Sequence, residues 1–348
     1  MPDARVIPLS RRGLLAAGGV LGLGAALTAC GGGKGEGAGS GKDTKATGSG
    51  PWSFRDDRGT TVKLDGVPAN IVAFTGVAAA LYDYGVQVKG VFGPTTTKDG
   101  KADVQAGDMD VTKVTVIGNT WGQFNIEKYA SLAPDVLVST MFDGAGTLWY
   151  VPEESKKKIA QLAPSVGISV YDRQLPTSLQ RMWELAEALG GDMRAAKATD
   201  ARKRFEDASA RLRAAARAKP EIRVMAGSAS DPLFYVSGTN LSVDLEYFKA
   251  LGVNFVEPPE RAKARGGGWY ESLSWENVDK YRADVIMMDD RTSTLQAADI
   301  SKPTWKKLPA VRAGQVISRS PEPILSYDKC VPLLTTLAEA LEKAEKVS

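Results

Sequence analysis

The sequence predicts an α/β protein: two doubly wound α/β lobes joined by a long, rigid helix. Three observations carry this prediction. Short, continuously apolar runs such as DVLVST (135–140) and DVIMMDD (284–290) alternate with amphipathic stretches, the pattern of parallel strands covered by helices on both faces. The alternation halts after VGISVYD (166–172) and resumes at Ile222. Between the two series, residues 178–220 have the spacing of helices rather than strands.

The first thirty residues do not belong to that fold. Arg11 and Arg12 precede a short apolar run with five glycines (13–29), and small residues lead into Cys30. Basic residues, then an apolar run, then small residues make a secretory signal peptide. The run is too weakly hydrophobic and slightly too short for a membrane span. Ser10-Arg11-Arg12-Gly13-Leu14-Leu15 resembles a twin-arginine signal, a general secretory signal being the alternative. Leu27-Thr28-Ala29-Cys30 resembles the lipobox of bacterial lipoproteins, in which the cysteine is diacylated and the chain is cut just before it. The expectation is removal of residues 1–29, lipid on Cys30, and anchoring to the extracytoplasmic face of the cell membrane. Acylation leaves Cys330 as the remaining thiol, so no internal disulfide forms and core packing must supply the stability. Residues 30–50, the lipidated cysteine and GGGKGEGAGSGKDTKATGSG, have too few apolar side chains to order and form a flexible tether. GAGSGKDT within it imitates a phosphate-binding loop, but Glu36 stands where the first glycine is needed and no Ser or Thr follows Lys42.

The first lobe is expected over 51–177. It opens on an edge hairpin, WSFRDDRGTTVKL, turning at Asp57-Arg58-Gly59. A strand at 71–74 and a helix from Thr75 to Gly85 follow, then strands in VKGVFG and VTVIGN, a helix from Asn125, the strand DVLVST, a lysine-rich helix near 153–162 and the strand VGISVYD. Connecting helices fill 178–219, broken at Gly190-Gly191 and restarted at Asp192. The second puts Phe205, Ala208, Leu212 and Ala215 on one face, and its roughly 27 residues would run about 40 Å. The second lobe, 220–348, reads as strands IRVMAG and LFYVSG, a helix from Ser242 to Leu251, NFVEP, a helix from Ser274, strands DVIMMDD and QVISRS, and a last helix from about Val331.

Composition narrows the chemistry. Lysines and arginines number 44 against 41 acids, so nucleic acid is no expected partner. The chain has no histidine, which excludes serine-histidine-acid triads and histidine-held zinc, and no metal site is expected. No G-x-S-x-G elbow or S-x-x-K pair is present. Asp289 and Asp290 are neighbours on a strand and point to opposite faces, so they make a poor acid-base pair. No catalytic residues are expected.

An internal echo links the lobes. NIEKYASLAPDV and SWENVDKYRADV each place a capping residue two positions before a glutamate, Glu127 or Glu276, and an Asp-Val strand start eight after it. From the residues alone, each glutamate is a carboxylate in a helix's first turn. With FRDDRGTTVKLDGVPANIVAF, ALYDYGVQVKGV and WKKLPAVRAGQVI in the same order, these segments resemble the substrate-binding lipoproteins of ABC importers that collect ferric siderophores, haem or cobalamin. The resemblance spans nearly the whole mature chain. It implies a ligand cleft between the lobes, a monomer, no resident cofactor, and docking of Glu127 and Glu276 onto arginines of the membrane permease.

The cleft would be lined by loops after the carboxyl ends of the strands. Aromatics crowd these loops: Trp121, Phe142, Trp149, Tyr150, Tyr235, Trp269, Tyr270 and Tyr327 are the candidates for contact with a bulky chelate. Arg173, Arg291 and Arg319 could bond its oxygens, the alternative for each being a structural ion pair. Acids stand beside them, among them Asp143, Asp172, Asp231, Asp289 and Asp290, a mixture that suits a neutral or weakly cationic ferric hydroxamate better than a triply anionic catecholate. The alternatives are haem or cobalamin within the same family, an exported lipoprotein hydrolase, and a purely structural surface module.

Overall fold

The computed structural model describes residues 50–240, 242–258 and 270–348. Cys30, the arginine pair, most of the tether and Trp269 lie outside the described residues. The chain opens on the expected hairpin, β1 (Trp52–Arg55) against β2 (Thr61–Leu64), with Gly59 at φ 78° in the left-handed position its turn requires. The first lobe then runs β3 (Ile71–Phe74), α1 (Thr75–Asp83), β4 (Gly90–Phe92), β5 (Thr115–Gly118), α2 (Ile126–Ser131), β6 (Val136–Met141), α3 (Lys156–Leu162) and β7 (Ser165–Ser169). These five strands are all parallel, in the order β5-β4-β3-β6-β7. The winding reverses at β3, and helices cover the sheet, so β3 and β6 are buried along their whole length.

The hairpin guards the free edge of this sheet. Asp57 N–H donates to the Gly167 carbonyl on β7 (3.1 Å), while the Asp56 and Asp57 carboxylates accept the N–H groups of Gly167 (3.0 Å) and Ser169 (2.8 Å). An edge strand whose donors are taken cannot recruit another chain.

Two helices follow, α4 (Leu175–Ala188) and α5 (Ala196–Ala218). Phe205, Ala208, Leu212 and Ala215 of α5 are buried, and its 23 residues span about 35 Å. The second lobe comprises β8 (Arg223–Ala229), β9 (Leu233–Ser237), α6 (Val243–Ala250), β10 (Asn254–Phe255), β11 (Tyr270–Ser274), a 3-10 turn (Trp275–Lys280), β12 (Val285–Asp289), α7 (Pro303–Lys307), α8 (Pro309–Arg312), β13 (Val316–Arg319) and α9 (Tyr327–Lys343). Its sheet is ordered β11-β9-β8-β12-β13, with β10 also paired to β8.

Three details differ from expectation. The second sheet is mixed: β8, β9 and β11 form an antiparallel meander. The three residues between β8 and β9 are too few for a crossover, and Ser230 N–H closes a tight turn on the Leu233 carbonyl (2.9 Å). The helix expected from Ser274 is a 3-10 turn. The last helix begins at Tyr327 rather than Val331, capped by Ser326, whose Oγ accepts Lys329 N–H (3.2 Å).

Helix α9 lies along α5, so the spine is a helix pair. Arg211 of α5 bonds Glu342 (2.7 Å), Arg204 bonds Asp328 (2.6 Å), and Leu334, Leu337 and Leu341 are buried in the core shared with the first lobe. The second sheet divides its residues by the pleat. Val224, Ala226, Val285 and Met287 join that large core, whereas Met225, Ile286 and Met288 join a smaller one with Phe234, Trp275 and Trp305.

The echo in sequence corresponds to a matched anchor. Asp135, just before β6, accepts the N–H groups of Ala69 and Asn70 before β3 (2.9 and 2.8 Å). Asp284, just before β12, accepts Arg223 N–H at the start of β8 (2.8 Å). The strand pairs that follow share one register, Ile71 opposite Val136 and Val224 opposite Val285.

Candidate functional site

A cavity of about 500 Å³ opens where the carboxyl ends of the two sheets face each other. That volume lies within the range of small-molecule sites. The first lobe contributes Phe142, Asp143, Trp149 and Val170, from segments following β6 and β7. The second contributes Tyr235, Tyr270, Arg291, Arg319 and Glu322, from β9, β11 and the ends of β12 and β13.

The aromatic wall is built by stacking. Trp149 meets Phe142 at 4.7 Å between ring centroids, and the exposed Trp121 stands edge-on to Trp149 (4.8 Å) and Tyr150 (5.0 Å). Gly118 permits this arrangement, since a Cβ there would lie 1.9 Å from the Gln123 carbonyl oxygen where the Trp121 loop folds back. Tyr150 has φ +60°, uncommon for a residue with a side chain, and stacks on Phe74 (5.4 Å). Burial, together with the nearby Glu322 charge, pushes its phenol up to about 12. On the opposite wall Tyr235 and Tyr270, from adjacent antiparallel strands, pack edge to face at 5.0 Å.

The charged floor comes from the second lobe. Arg319, 3% exposed, forms a two-bond pair with Asp244 of α6 (2.7 and 2.9 Å). Arg291 is held by Asp289 (2.6 Å) and by Glu322. Burial works against the Arg291 charge, but these two carboxylates outweigh it and keep the guanidinium protonated. Glu322 also crosses to the first lobe, accepting from Gln105 Nε2 (2.9 Å) and Trp149 Nε1 (3.2 Å). Beside it Thr292 Oγ1 donates to Asp103 (2.7 Å). Both cavity arginines therefore have their charge matched by protein carboxylates.

Of the residues singled out in the sequence, Phe142, Trp149, Tyr235, Tyr270, Arg291 and Arg319 come together around the cavity, with Trp121 and Tyr150 packed edge-on to Trp149 outside its lining. Two belong elsewhere. Arg173 is bound by Asp57 of the hairpin turn (3.1 Å), whose buried carboxylate also takes Arg181 (2.7 Å), so it serves the sheet edge. Tyr327 is the first residue of α9 because that helix starts early. It is buried between Trp183 (5.7 Å) and Phe205 (5.4 Å) in the spine. Glu322 and Asp244 were not among the sequence candidates. Glu322 had a faint signal as an acid between two prolines in a loop after a strand, but Asp244 meets its partner 75 residues away with nothing local to mark it. Glu127 and Glu276 are exposed, each in the first turn of its short helical segment, and neither lines the cavity.

Two facing α/β sheets, a helical spine and an apolar cavity at the strand ends define a bilobal binding protein. Residues 71–323 match the periplasmic binding protein family, and the chain belongs to that family. It is 78% identical to DesE, a ferric-siderophore receptor protein from Streptomyces coelicolor, over 85% of this chain and 100% of that one, with a TM-score of 0.84. More distant structures share the fold: petrobactin-binding YclQ from Bacillus subtilis (19% identity, 84% of this chain and 99% of that one, TM-score 0.62) and Staphylococcus aureus SirA complexed with staphyloferrin B (20%, 84% and 99%, TM-score 0.57). No curated protein sequence matches the chain significantly.

Proposed function

We propose that this protein captures a ferric siderophore outside the cell and delivers it to the permease of an ABC importer, without chemistry of its own. The observation that carries this reading is the cavity: a large space between lobes, walled by aromatics, with arginines already neutralised. Likeness to DesE over the whole of that chain supports it. The ligand is a preassembled iron(III) chelate, and the protein holds no resident cofactor. A hydroxamate complex fits better than a catecholate, because three uncompensated negative charges would meet no free guanidinium among the described residues of this floor. In this reading Cys30 carries the lipid that keeps a monomeric receptor near its permease, and the 30–50 tether confines it to a small volume there.

Titrating the purified protein while following tryptophan fluorescence tests the proposal. Iron-loaded hydroxamates should quench saturably, through Trp149 in the cavity wall, while catecholates, haem and cobalamin should bind weakly or not at all. Conversion of a small molecule into product, with no chelate bound, would overturn the reading. The exposed Glu127 and Glu276, one on each lobe, supply the docking points. Changing both to Arg should abolish uptake in cells while the chelate still binds, and uptake equal to wild type would remove that assignment.

A further inference from the structure

Among the described residues, the charges around the cavity do not cancel. Arg291 and Arg319 are, among the described residues, the cations of its lining; Asp289 and Glu322 take the first, and Asp244 takes the second. Among the described residues, Asp143 is then a lining carboxylate with no cationic partner. Its attachments are local: Oδ1 accepts the N–H groups of Ala145 (3.1 Å) and Thr147 (3.0 Å), closing the turn after β6. Burial raises its proton affinity, but the Thr147, Ala145 and Gly146 donors outweigh that and hold the carboxyl below its ordinary range, so it is ionised at neutral pH. Phe142 and Trp149 line the same cavity beside it.

We infer that Asp143 is a specificity determinant that reads a positively charged group, a protonated amine, carried by the chelate. The inference rests on the ferric-siderophore reading above and adds a charge requirement to it. Three hydroxamates neutralise iron(III), so a pendant ammonium gives the whole complex a charge of one. That charge can meet Asp143 while the neutral iron centre lies among the aromatics. Oδ1 closes the turn, and the negative charge of the carboxylate as a whole is what meets the ammonium.

The test uses three ferric complexes of one linear tris-hydroxamate: with a free terminal amine, with that amine acetylated, and with it succinylated. Their net charges are plus one, zero and minus one. Wild-type protein should bind them in that order, with about a tenfold step between amine and acetyl forms, the scale of a hydrogen bond to a charged group. The step should shrink as salt rises from about 0.01 M to about 1 M, which shortens the screening length from about 30 Å to about 3 Å. Asp143→Asn keeps an oxygen for the two turn N–H groups and removes the charge, so its amine and acetyl affinities should converge. Equal wild-type affinities for all three complexes, or an unchanged preference in folded Asp143→Asn, overturns the inference and leaves the receptor reading standing. Failure of wild type to bind any of the three overturns both.

Discussion

The two lobes share their anchor and differ at the mouth. Asp135 and Asp284 clamp equivalent strand starts in the same register, and exposed Glu127 and Glu276 sit eight residues ahead of them. At the cavity the first lobe offers aromatic faces and one unmatched carboxylate, whereas the second offers both arginines, their acidic partners and a pair of tyrosines. Duplicated scaffolding thus holds two dissimilar walls. The ends of the strands, rather than the strands, therefore carry the recognition chemistry.

The largest effect should come from the second lobe's buried charge. Asp244→Asn leaves the Arg319 guanidinium, 3% exposed, without its carboxylate, and should cost about 3 to 5 kcal/mol in urea unfolding. The double change Asp244→Leu with Arg319→Met should recover most of that stability. If the single variant matches wild type, the floor of this wall is not held by charge pairing. Next comes the matched anchor. Burial raises the proton affinity of Asp284, but the N–H groups of Arg223, Val347 and Ser348 outweigh it and lower the carboxyl to about 2, against an ordinary 3.8. A depressed carboxylate stabilises above its unfolded value and loses that contribution as pH falls through its folded value. Asp284→Asn should therefore cost about 2 kcal/mol at neutral pH, with the deficit closing as pH drops from about 4 to about 2. Asp135→Asn, at a half-buried carboxylate with two surface N–H donors, should cost less, and equal losses would make the two anchors alike in energy as well as geometry. The smallest stability effect separates wall from edge. Arg173→Ala should change stability by under about 1 kcal/mol and leave chelate affinity alone, whereas Trp149→Ala should weaken chelate binding by about 1 to 3 kcal/mol in a fluorescence or calorimetric titration.

The fold was legible wherever period and length decide the matter. Buried parallel strands in the first lobe, the α5 face of Phe205, Ala208, Leu212 and Ala215, and the Asn125 cap follow from local pattern. Strand direction was not legible in the same way: LFYVSG looks like a parallel strand until the brevity of residues 230–232 is weighed. At the site, residue type pointed to the right loops, because aromatics after strand ends have few other uses at that density. It could not separate Arg319 from Arg173, two arginines with acids nearby, one paired at the cavity and one at a sheet edge. Those assignments depend on partners 75 and 116 residues distant, and no short-range signal encodes them.

The pairing of α9 with α5 has a consequence for how the chain is made. Ser326 Oγ donates to Asp83 (2.5 Å) and Tyr327 N–H to the Tyr84 hydroxyl (3.1 Å), so the end of α1 is completed by residues synthesised some 240 positions later. Until α9 leaves the ribosome, Phe205 and Leu212 lack their cover, and a nascent chain stalled before residue 326 presents an oily groove to chaperones and proteases. Closure of the spine thus waits on the synthesis of residues 326–343.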